Sequence, residues 1–417
     1  MNFIKTSFLS GLSTAISLIA RLISTKIVAV LLGTNGMFLM GQLKDFLRLG
    51  NTLSSFGIEN GIIKYTSEFE KKEKDLSKII GSSFKINFFG AIIFSFIIVI
   101  SREYISEFLK INFNQNFYFL VLVISIVSAS IHTCFLSIYN GLKKINLYVL
   151  VNIFSNIASA ILLIILVTKM NIIGAFYALA FNQIIALLIN ILFFAYYRPF
   201  NIRFLFDKLI KDNFKKLSKF SLMAIAGPLC LIISTFIVRD YIYEFFGSDY
   251  AGSWEAMWRI SSIYILFLIT TFKFYLIPTF SKLEGNELKN EIFKIWRITF
   301  PIIILITFGV YLLKDFIITI LLSKEFVLIN SIIFFHLIGD IIKINCWVLG
   351  NILISKANTK VFILFQIEWS FIFVILSIFL INRYGFVGVS IAYFITYIIH
   401  FSLLNLYFKN LIWKKNN

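Results

Sequence analysis

Apolar stretches of about 20 residues recur along the whole chain, and each is long enough to cross a bilayer as an α-helix. Short polar connections separate them, and this pattern predicts twelve membrane-spanning helices. The predicted spans lie near residues 7–33, 37–63, 79–101, 116–141, 146–168, 172–197, 217–242, 253–280, 295–321, 328–355, 359–382 and 384–409. In lipid the backbone must satisfy its own hydrogen bonds, which favours helices. We therefore expect an all-α polytopic membrane protein.

The composition agrees with this class. Hydrophobic residues make up 59% of the 417 residues and charged residues only 14%, which is too few polar side chains to cover a soluble protein of this length. Three cysteines and three histidines are scattered among the apolar segments, a pattern that indicates neither a disulfide framework nor a metal site. We find no nucleotide-binding or catalytic motif. We therefore expect no cofactor and no enzyme activity.

The positions of the basic residues predict the orientation of the helices. Most of the 39 Lys and Arg residues lie at the N-terminus, in the connections after every second span, and in the C-terminal tail. By the positive-inside rule these regions are cytoplasmic, which places both termini in the cytoplasm and requires an even number of spans. The net charge of +18 therefore follows membrane topology and does not indicate binding to nucleic acid.

The two halves of the chain look duplicated. A shift of 214 residues aligns Lys5 with Lys219, Ser7 with Ser221, Lys169 with Arg383, Gly174 with Gly388 and Ala178 with Ala392. Six helices is an even number, so the two repeats would run parallel. The longest basic connection falls at the midpoint of the chain. The sequence thus predicts two six-helix lobes, residues 1–197 and 217–417, joined by a cytoplasmic basic linker at 198–216.

Charged residues inside the predicted spans are the main candidates for function. A Lys, Arg or Asp at the bilayer centre costs about 2.5–3.5 kcal/mol on insertion scales, so we expect these side chains to face a shared, wet interior. The basic ones are Arg21, Lys26, Lys44, Arg48, Lys85, Arg259, Lys273 and Lys343, and the acidic ones are Asp45, Glu59, Asp340 and Glu368. Together they predict a cationic cavity, which suits an anionic cargo.

Two arginines are the strongest candidates for binding this cargo. Arg21 and Arg48 lie near the middle of spans 1 and 2, where a side chain cannot easily reach the interface. Lys44 lies one turn before Arg48 on the same helix face, and Asp45 can neutralise part of this charge. Arginine binds phosphate through two parallel donors. Three other basic residues could equally well reach an interface by snorkelling: Lys85, Arg259 and Lys273.

The acidic residues suggest charge pairing or ion coupling. Asp340 and Lys343 are three residues apart in span 10, a spacing that suits either an intrahelical salt bridge or part of a site. Glu59 lies toward the cytoplasmic end of span 2, and Glu368 lies near the centre of span 11. We regard Glu59, Asp340 and Glu368 as candidate carriers of a coupled ion.

Several short stretches resemble one family of transporters. They are Ala29–Gly33 with Gly36, Leu217–Ala224, Tyr275–Leu283, Leu337–Asp340 with Lys343, and Ser355–Ala357. In order and spacing the chain resembles, over its full length, the Wzx-type lipid-linked oligosaccharide flippases. These are the O-antigen and enterobacterial common antigen translocases of the multidrug/oligosaccharidyl-lipid/polysaccharide (MOP) exporter superfamily.

This resemblance implies a V-shaped, MATE-like transporter of the bacterial inner membrane, with two lobes around a central cavity. It implies that an undecaprenyl-diphosphate-linked oligosaccharide moves to the periplasmic leaflet by alternating access, in lipopolysaccharide or surface polysaccharide biosynthesis. Membrane lipids and the polysaccharide polymerase machinery are the implied partners. Cationic cavity residues of the family correspond here to Arg21, Lys44 and Arg48, and further to Lys26, Arg259, Lys273 and Lys343.

Three other functions need to be compared with this one. A peptidoglycan-precursor flippase would carry the same lipid diphosphate. An ion-coupled multidrug exporter of the same superfamily should have an acidic cavity, which the sequence does not predict. A glycan polymerase or ligase should have a large outer loop, but the longest outer loops predicted here are only about 239–252 and 102–115.

Overall fold

The structure is a computed structural model that describes the backbone of residues 3–111, 113, 115–218 and 221–413. Of these residues, side chains are described for all except 3–13, 115, 211, 267 and 269–274. Every regular element in the described ranges is a helix. The shorter helices are Glu59–Glu68, Arg102–Phe108, Ile202–Phe206, Lys211–Ser218, Lys314–Leu321, Lys324–Leu328 and Lys409–Ile412.

Twelve long helices make up most of the described chain. The segment Phe3–Ser54 forms α1 (3–32) and α2 (34–54), which meet at a break in the helix at Gly33. Likewise, Ile145–Tyr197 forms α5 (145–170) and α6 (172–197), which meet at Asn171. The others are α3 Glu73–Ile100, α4 Gln115–Gly141, α7 Ser221–Phe246, α8 Ser248–Lys282, α9 Gly285–Leu312, α10 Ile329–Ser355, α11 Thr359–Tyr384 and α12 Val387–Tyr407.

The lengths of these helices match the twelve predicted spans. Nine helical stretches of the described chain are long and apolar enough to cross a membrane. Two of them, Thr14–Ser54 with 41 residues and Ile145–Tyr197 with 53, have about twice the length that one crossing requires, and each contains one of the two breaks. The 35-residue helix α8 supplies the remaining span. The protein is a multi-pass, all-α membrane protein, as predicted.

The backbone repeats itself at the offset of 214 residues that the sequence predicted. Three interhelical turns in each half use a residue with a left-handed φ angle, which a chain needs to leave a helix abruptly. The corresponding residues are Gly33 (φ 63°) and Gly247 (φ 89°), Lys143 (φ 55°) and Ala357 (φ 53°), and Asn171 (φ 50°) and Gly385 (φ 67°). Similar composition alone cannot place such unusual conformations in register. The internal repeat is therefore confirmed.

Two glycines extend the repeat to side-chain packing. A Cβ atom on Gly174 would overlap the carbonyl oxygen of Leu166, and one on Gly388 would overlap the carbonyl oxygen of Leu380. Both carbonyls lie eight residues before their glycine, across the turn that joins two helices. The close approach of these helices therefore excludes a side chain at the same place in both halves.

One predicted helix end was wrong. Span 2 was predicted to continue to residue 63, but α2 ends at Ser54. Phe56 (φ 50°) and Gly57 (φ 60°) then turn the chain before the helix Glu59–Glu68 begins. The apolar pattern continues through this turn because Ile58 and Ile62 are buried, so hydropathy alone could not locate it. Glu59 consequently begins a separate short helix.

The chain divides into two compact units. Unit 1 contains residues 1–32 and 39–229, and unit 2 contains residues 33–38 and 230–417. In unit 1, α4 packs against α3 and the helices of Ile145–Tyr197. In unit 2, α10 packs against α8, α9 and α12, and α11 packs against α12. The lobe boundaries at 1–197 and 217–417, with a linker at 198–216, stay a prediction.

Residues 33–38 pack entirely within unit 2. Thr34 Oγ1 donates a hydrogen bond of 2.5 Å to Asp249 Oδ1, and the ring of Phe38 stacks on that of Tyr243 with centroids 4.5 Å apart. Gly252 lies so close to the carbonyl oxygen of Thr34 that a side chain would not fit. The turn after α1 therefore lies beside its repeat equivalent, the turn after α7.

The linker between the halves is held against α3. The hydroxyl of Ser77 and the backbone N–H of Lys208 donate hydrogen bonds to Asp207, and Gly81 lies against the backbone of Phe204 and Asp207. These two hydrogen bonds lower the pKa of the Asp207 carboxyl below its usual value of 3.8. The carboxylate is therefore ionised in the docked linker.

We predict that replacing Gly174 or Gly388 with alanine destabilises the protein. The added methyl group would overlap a backbone carbonyl, and overpacking of this kind costs about 1–3 kcal/mol. Thermal unfolding in detergent should show a lower midpoint for both variants. Gly309→Ala and Gly350→Ala are matched controls, because nothing lies within 4 Å of a Cβ at either position. Equal midpoints for all four variants would contradict the proposed close approach.

We also predict that the linker contact depends on ionised Asp207. Folding lowers the pKa of this group, so the contact stabilises the fold above pH 3.8 and is lost as the pH falls through the lower folded value. At neutral pH, Asp207→Asn should increase amide hydrogen exchange across residues 202–210 severalfold. Asp212→Asn, which changes an exposed residue, should leave this exchange unchanged. Equal exchange in both variants would show that the linker is held in another way.

Candidate functional site

Two predicted arginines of unit 1 lie close together. Arg21 on α1 and Arg48 on α2 are both exposed, and their like charges are near enough to repel each other. Arg48 Nη1 lies 4.0 Å from Asp45 Oδ1, and the two side chains are 64% and 12% exposed. One carboxylate neutralises only one of the two guanidinium groups. This cluster therefore keeps a net positive charge and could bind an anion.

The other predicted residues of unit 1 lie around these arginines or apart from them. Lys26 and Lys44 are half-buried, and Lys44 precedes Arg48 by one helical turn. Glu59 accepts a hydrogen bond of 2.7 Å from the hydroxyl of Ser55, across the turn that ends α2. The predicted role of Glu59 as an ion carrier stays a prediction.

Unit 2 contains a buried cluster of three charged side chains. Glu255 Oε2 lies 2.8 Å from Arg239 Nη2, and Glu255 Oε1 lies 3.0 Å from Arg259 Nε. The three side chains are only 3–12% exposed. The Nη1 and Nη2 atoms of Arg259 are buried and have no hydrogen-bond partner in the described residues. Arg259 thus lies in a cluster of net charge +1. The side chain of Lys273, another predicted site residue, lies outside the described part of the chain.

Sequence reasoning missed Arg239 and Glu255. The polar run at 239–252 was predicted to be an outer loop, but α7 continues to Phe246 and α8 begins at Ser248, so that Gly247 alone connects them. The four-residue spacing of Glu255 and Arg259 is typical of an ion pair on a helix. The alignment of Gly247 with Gly33 also marked the turn. These two signals together could have located the cluster.

We predict that removing Glu255 strongly destabilises unit 2. Glu255→Ala would leave two arginines buried without their shared carboxylate, and breaking a buried ion pair costs about 3–5 kcal/mol. The midpoint of thermal unfolding in detergent should fall by several degrees. Glu287→Ala removes an exposed carboxylate and should leave the midpoint unchanged. A normal midpoint for Glu255→Ala would show that the arginines have other compensation.

Asp340 on α10 is fully buried and surrounded by donors. Ser261 donates a hydrogen bond of 2.5 Å to Oδ2, Tyr264 donates to the same oxygen, and Tyr393 donates one of 2.7 Å to Oδ1. Lys343 Nζ lies 3.9 Å from Oδ1. All of these contacts stabilise the ionised carboxylate. Of the two roles that the sequence allowed, the arrangement favours a structural pair of Asp340 with Lys343.

Lys343 is enclosed by aromatic rings. Its Nζ donates a hydrogen bond of 3.0 Å to the hydroxyl of Tyr393. The same atom lies 4.9 Å from the ring centroid of Trp258, 5.4 Å from that of Trp347 and 5.8 Å from that of Tyr397. Aromatic faces attract a cation, the more so where water is excluded. The lysine charge is therefore satisfied within unit 2, which does not favour a direct role in cargo binding.

Glu368 on α11 lies beside His400 on α12. His400 Nδ1 is 2.6 Å from Glu368 Oε2, and the side chains are 10% and 20% exposed. The sequence predicted Glu368 as a candidate for ion coupling but not its partner. The three histidines were considered only as metal ligands, and nothing in the local pattern of α12 indicates which face of His400 meets α11.

Comparison with known proteins places this chain in a family. Residues 3–284 match the family model described as polysaccharide biosynthesis protein, which is more than half of the 417 residues. The chain belongs to this family. Other similar proteins include the lipid III flippase of Escherichia coli (strain K12), 25% identical over 418 residues and covering 100% of each chain. An uncharacterized membrane protein of Methanocaldococcus jannaschii is 28% identical over 399 residues, 89% of each chain.

The fold of this polysaccharide biosynthesis protein is that of the MOP superfamily. A MATE family multidrug resistance transporter of that superfamily, in an inward-facing conformation, gives a TM-score of 0.79 at 11% identity, covering 94% of this chain and 95% of that one. A MOP superfamily transporter from Pyrococcus furiosus gives a TM-score of 0.66 at 12% identity over 96% of both chains. The predicted MATE-like fold is confirmed.

Proposed function

We propose that this polysaccharide biosynthesis protein is a Wzx-type flippase of the bacterial inner membrane, with both termini in the cytoplasm. Its proposed cargo is an oligosaccharide linked to undecaprenyl diphosphate, which moves from the cytoplasmic to the periplasmic leaflet by alternating access. The observation that carries the proposal is the pair of exposed, mutually repelling arginines, Arg21 and Arg48, on two apolar helices.

The chemistry of these arginines suits a lipid diphosphate. A guanidinium group binds phosphate oxygens through two parallel hydrogen bonds, and a diphosphate offers oxygens to more than one arginine. Arg48 is 64% exposed, so a ligand can reach it. Positive charge among apolar helices is unfavourable on its own and is stabilised when an anion binds. Lys44, on the same face as Arg48, adds to this attraction.

Similarity to a lipid III flippase over the full length supports a lipid-linked glycan as the class of cargo. Within that class we propose an O-antigen-type repeat unit, used in lipopolysaccharide or surface polysaccharide biosynthesis. The polysaccharide polymerase machinery would then consume the flipped unit. Lipid III and the peptidoglycan precursor carry the same kind of diphosphate and are the alternative cargoes. A cationic drug does not suit the positive cluster, which disfavours the multidrug exporter.

We predict that flipping depends on the Arg48 guanidinium. In liposomes with a fluorescent undecaprenyl-diphosphate oligosaccharide, Arg48→Ala should reduce the initial rate about tenfold or more, because a charge-assisted hydrogen bond contributes about 1.5–3 kcal/mol. Arg48→Lys should retain part of the rate, since it keeps the charge but loses the paired donors. Arg102→Ala is a matched control, because Arg102 is similarly exposed at 56% but lies outside the cluster.

The outcomes separate the candidate functions. Normal flipping by a correctly folded Arg48→Ala protein would contradict the role of the cluster. No flipping by the wild type of an O-antigen-type unit, lipid III or the peptidoglycan precursor would contradict the flippase itself. The relative rates for these three cargoes identify the preferred glycan, and uptake of a cationic drug in the same liposomes would favour the exporter.

A further inference from the structure

Unit 2 contains a pair of ionisable groups that anion binding does not explain. Glu368 and His400 come from two different helices and lie 2.6 Å apart, between His400 Nδ1 and Glu368 Oε2. Both side chains are largely buried, at 20% and 10% exposure. A carboxylate and an imidazole in such contact can share one proton, and histidine exchanges protons near neutral pH.

The two buried carboxylates of unit 2 have opposite environments. Asp340 is fully buried and receives hydrogen bonds from three hydroxyl groups, which stabilise its ionised form. In Glu368, Oε2 contacts His400, whereas Oε1 is buried and has no hydrogen-bond partner in the described residues. A buried polar oxygen without a partner is costly, and more so when it carries charge. Of the two, Glu368 is therefore the carboxylate that gains from a proton nearby.

The groups that face the pair are uncharged. On α12, Tyr397 lies beside His400 with ring centroids 6.4 Å apart, and on α11 the ring of Phe365 meets the same histidine edge-on at 5.8 Å. On α10, the thiol of Cys346 is within electrostatic range of Glu368. Among the described side chains, Glu368 and His400 form salt bridges only with each other. No neighbouring ion there offsets a change in the charge of the pair.

We propose that Glu368 and His400 form the proton-binding site that couples transport to a proton gradient. This inference rests on the proposed transport function and goes beyond it by naming the coupled ion and its site. In the loaded state one proton lies between His400 Nδ1 and Glu368 Oε2, and the pair has no net charge. In the unloaded state that proton has left to water, His400 is neutral, Glu368 is ionised, and the pair has a net charge of −1.

The loaded and unloaded states favour different conformations. A neutral pair fits the packing described above, in which little water reaches Glu368. A single negative charge in the same place is unfavourable, so loss of the proton favours a conformation that exposes Glu368 to water. Because a ligand shifts an equilibrium only through its different affinity for the two states, this difference in exposure is what would convert a proton gradient into directed movement.

The first experiment measures flipping in liposomes with and without an imposed pH gradient. For the wild type we expect the gradient to change the rate severalfold. For Glu368→Gln and His400→Asn we expect the ratio of the two rates to fall to about one, while Glu368→Asp, which keeps the carboxylate, should restore part of the response. Glu287→Gln removes an exposed carboxylate and should keep the full response. Wild-type flipping that ignores the gradient would overturn the proton site and leave the flippase standing.

A second experiment does not depend on the cargo. Purified wild-type protein in weakly buffered detergent is titrated from neutral to mildly acidic pH, and proton uptake is compared with that of Glu368→Gln and Glu368→Asp. We expect Glu368→Gln to take up about one proton less per chain and Glu368→Asp to behave like the wild type. Equal uptake by all three proteins overturns the proposal, even if no flipping is detected. Thermal unfolding of each variant excludes loss of the fold as the cause.

Discussion

A charge surrounded by apolar helices must be neutralised nearby, and this requirement governs every cluster described here. Within unit 2 the chain meets it in two ways: Glu255 is shared between Arg239 and Arg259, and Asp340 is enclosed by hydroxyl groups and Lys343. Within unit 1 the requirement is met only in part, because Asp45 faces two guanidinium groups. The incomplete neutralisation is what gives this unit a capacity to bind an anion.

The sequence predicted most of the fold because the membrane makes hydropathy informative. Runs of apolar residues located the twelve helices, and the offset of 214 residues located the repeat. Helix ends were less predictable. At Phe56 and Gly57 the chain turns between buried apolar residues, so the hydrophobic pattern continues where the helix does not. The polar run after residue 239 misled in the other direction, since its charged side chains are paired inside helices.

The candidate site could be predicted only in part. Arg21, Arg48 and Asp45 were identified because each is an unusual residue within an apolar span, and this signal is local. The pairing of Arg239 with Glu255 and of His400 with Glu368 joins different helices. No spacing along one helix records which face of a neighbouring helix it meets. For the same reason the sequence listed Asp340 and Glu368 as similar candidates, although one is surrounded by donors and the other is not.

The internal repeat conserves turns but not charges. At the same offset, Asp340 corresponds to Ile126, Glu368 to Phe154 and His400 to Ala186, while Arg21 corresponds to Thr235 and Arg48 to Ser262. The left-handed turn residues, by contrast, recur in both halves. After duplication, the scaffold was therefore kept while each half acquired its own ionisable groups. Cargo preference and energy coupling could then evolve separately, because a substitution that adapts the protein to a new glycan need not disturb the residues that handle the ion.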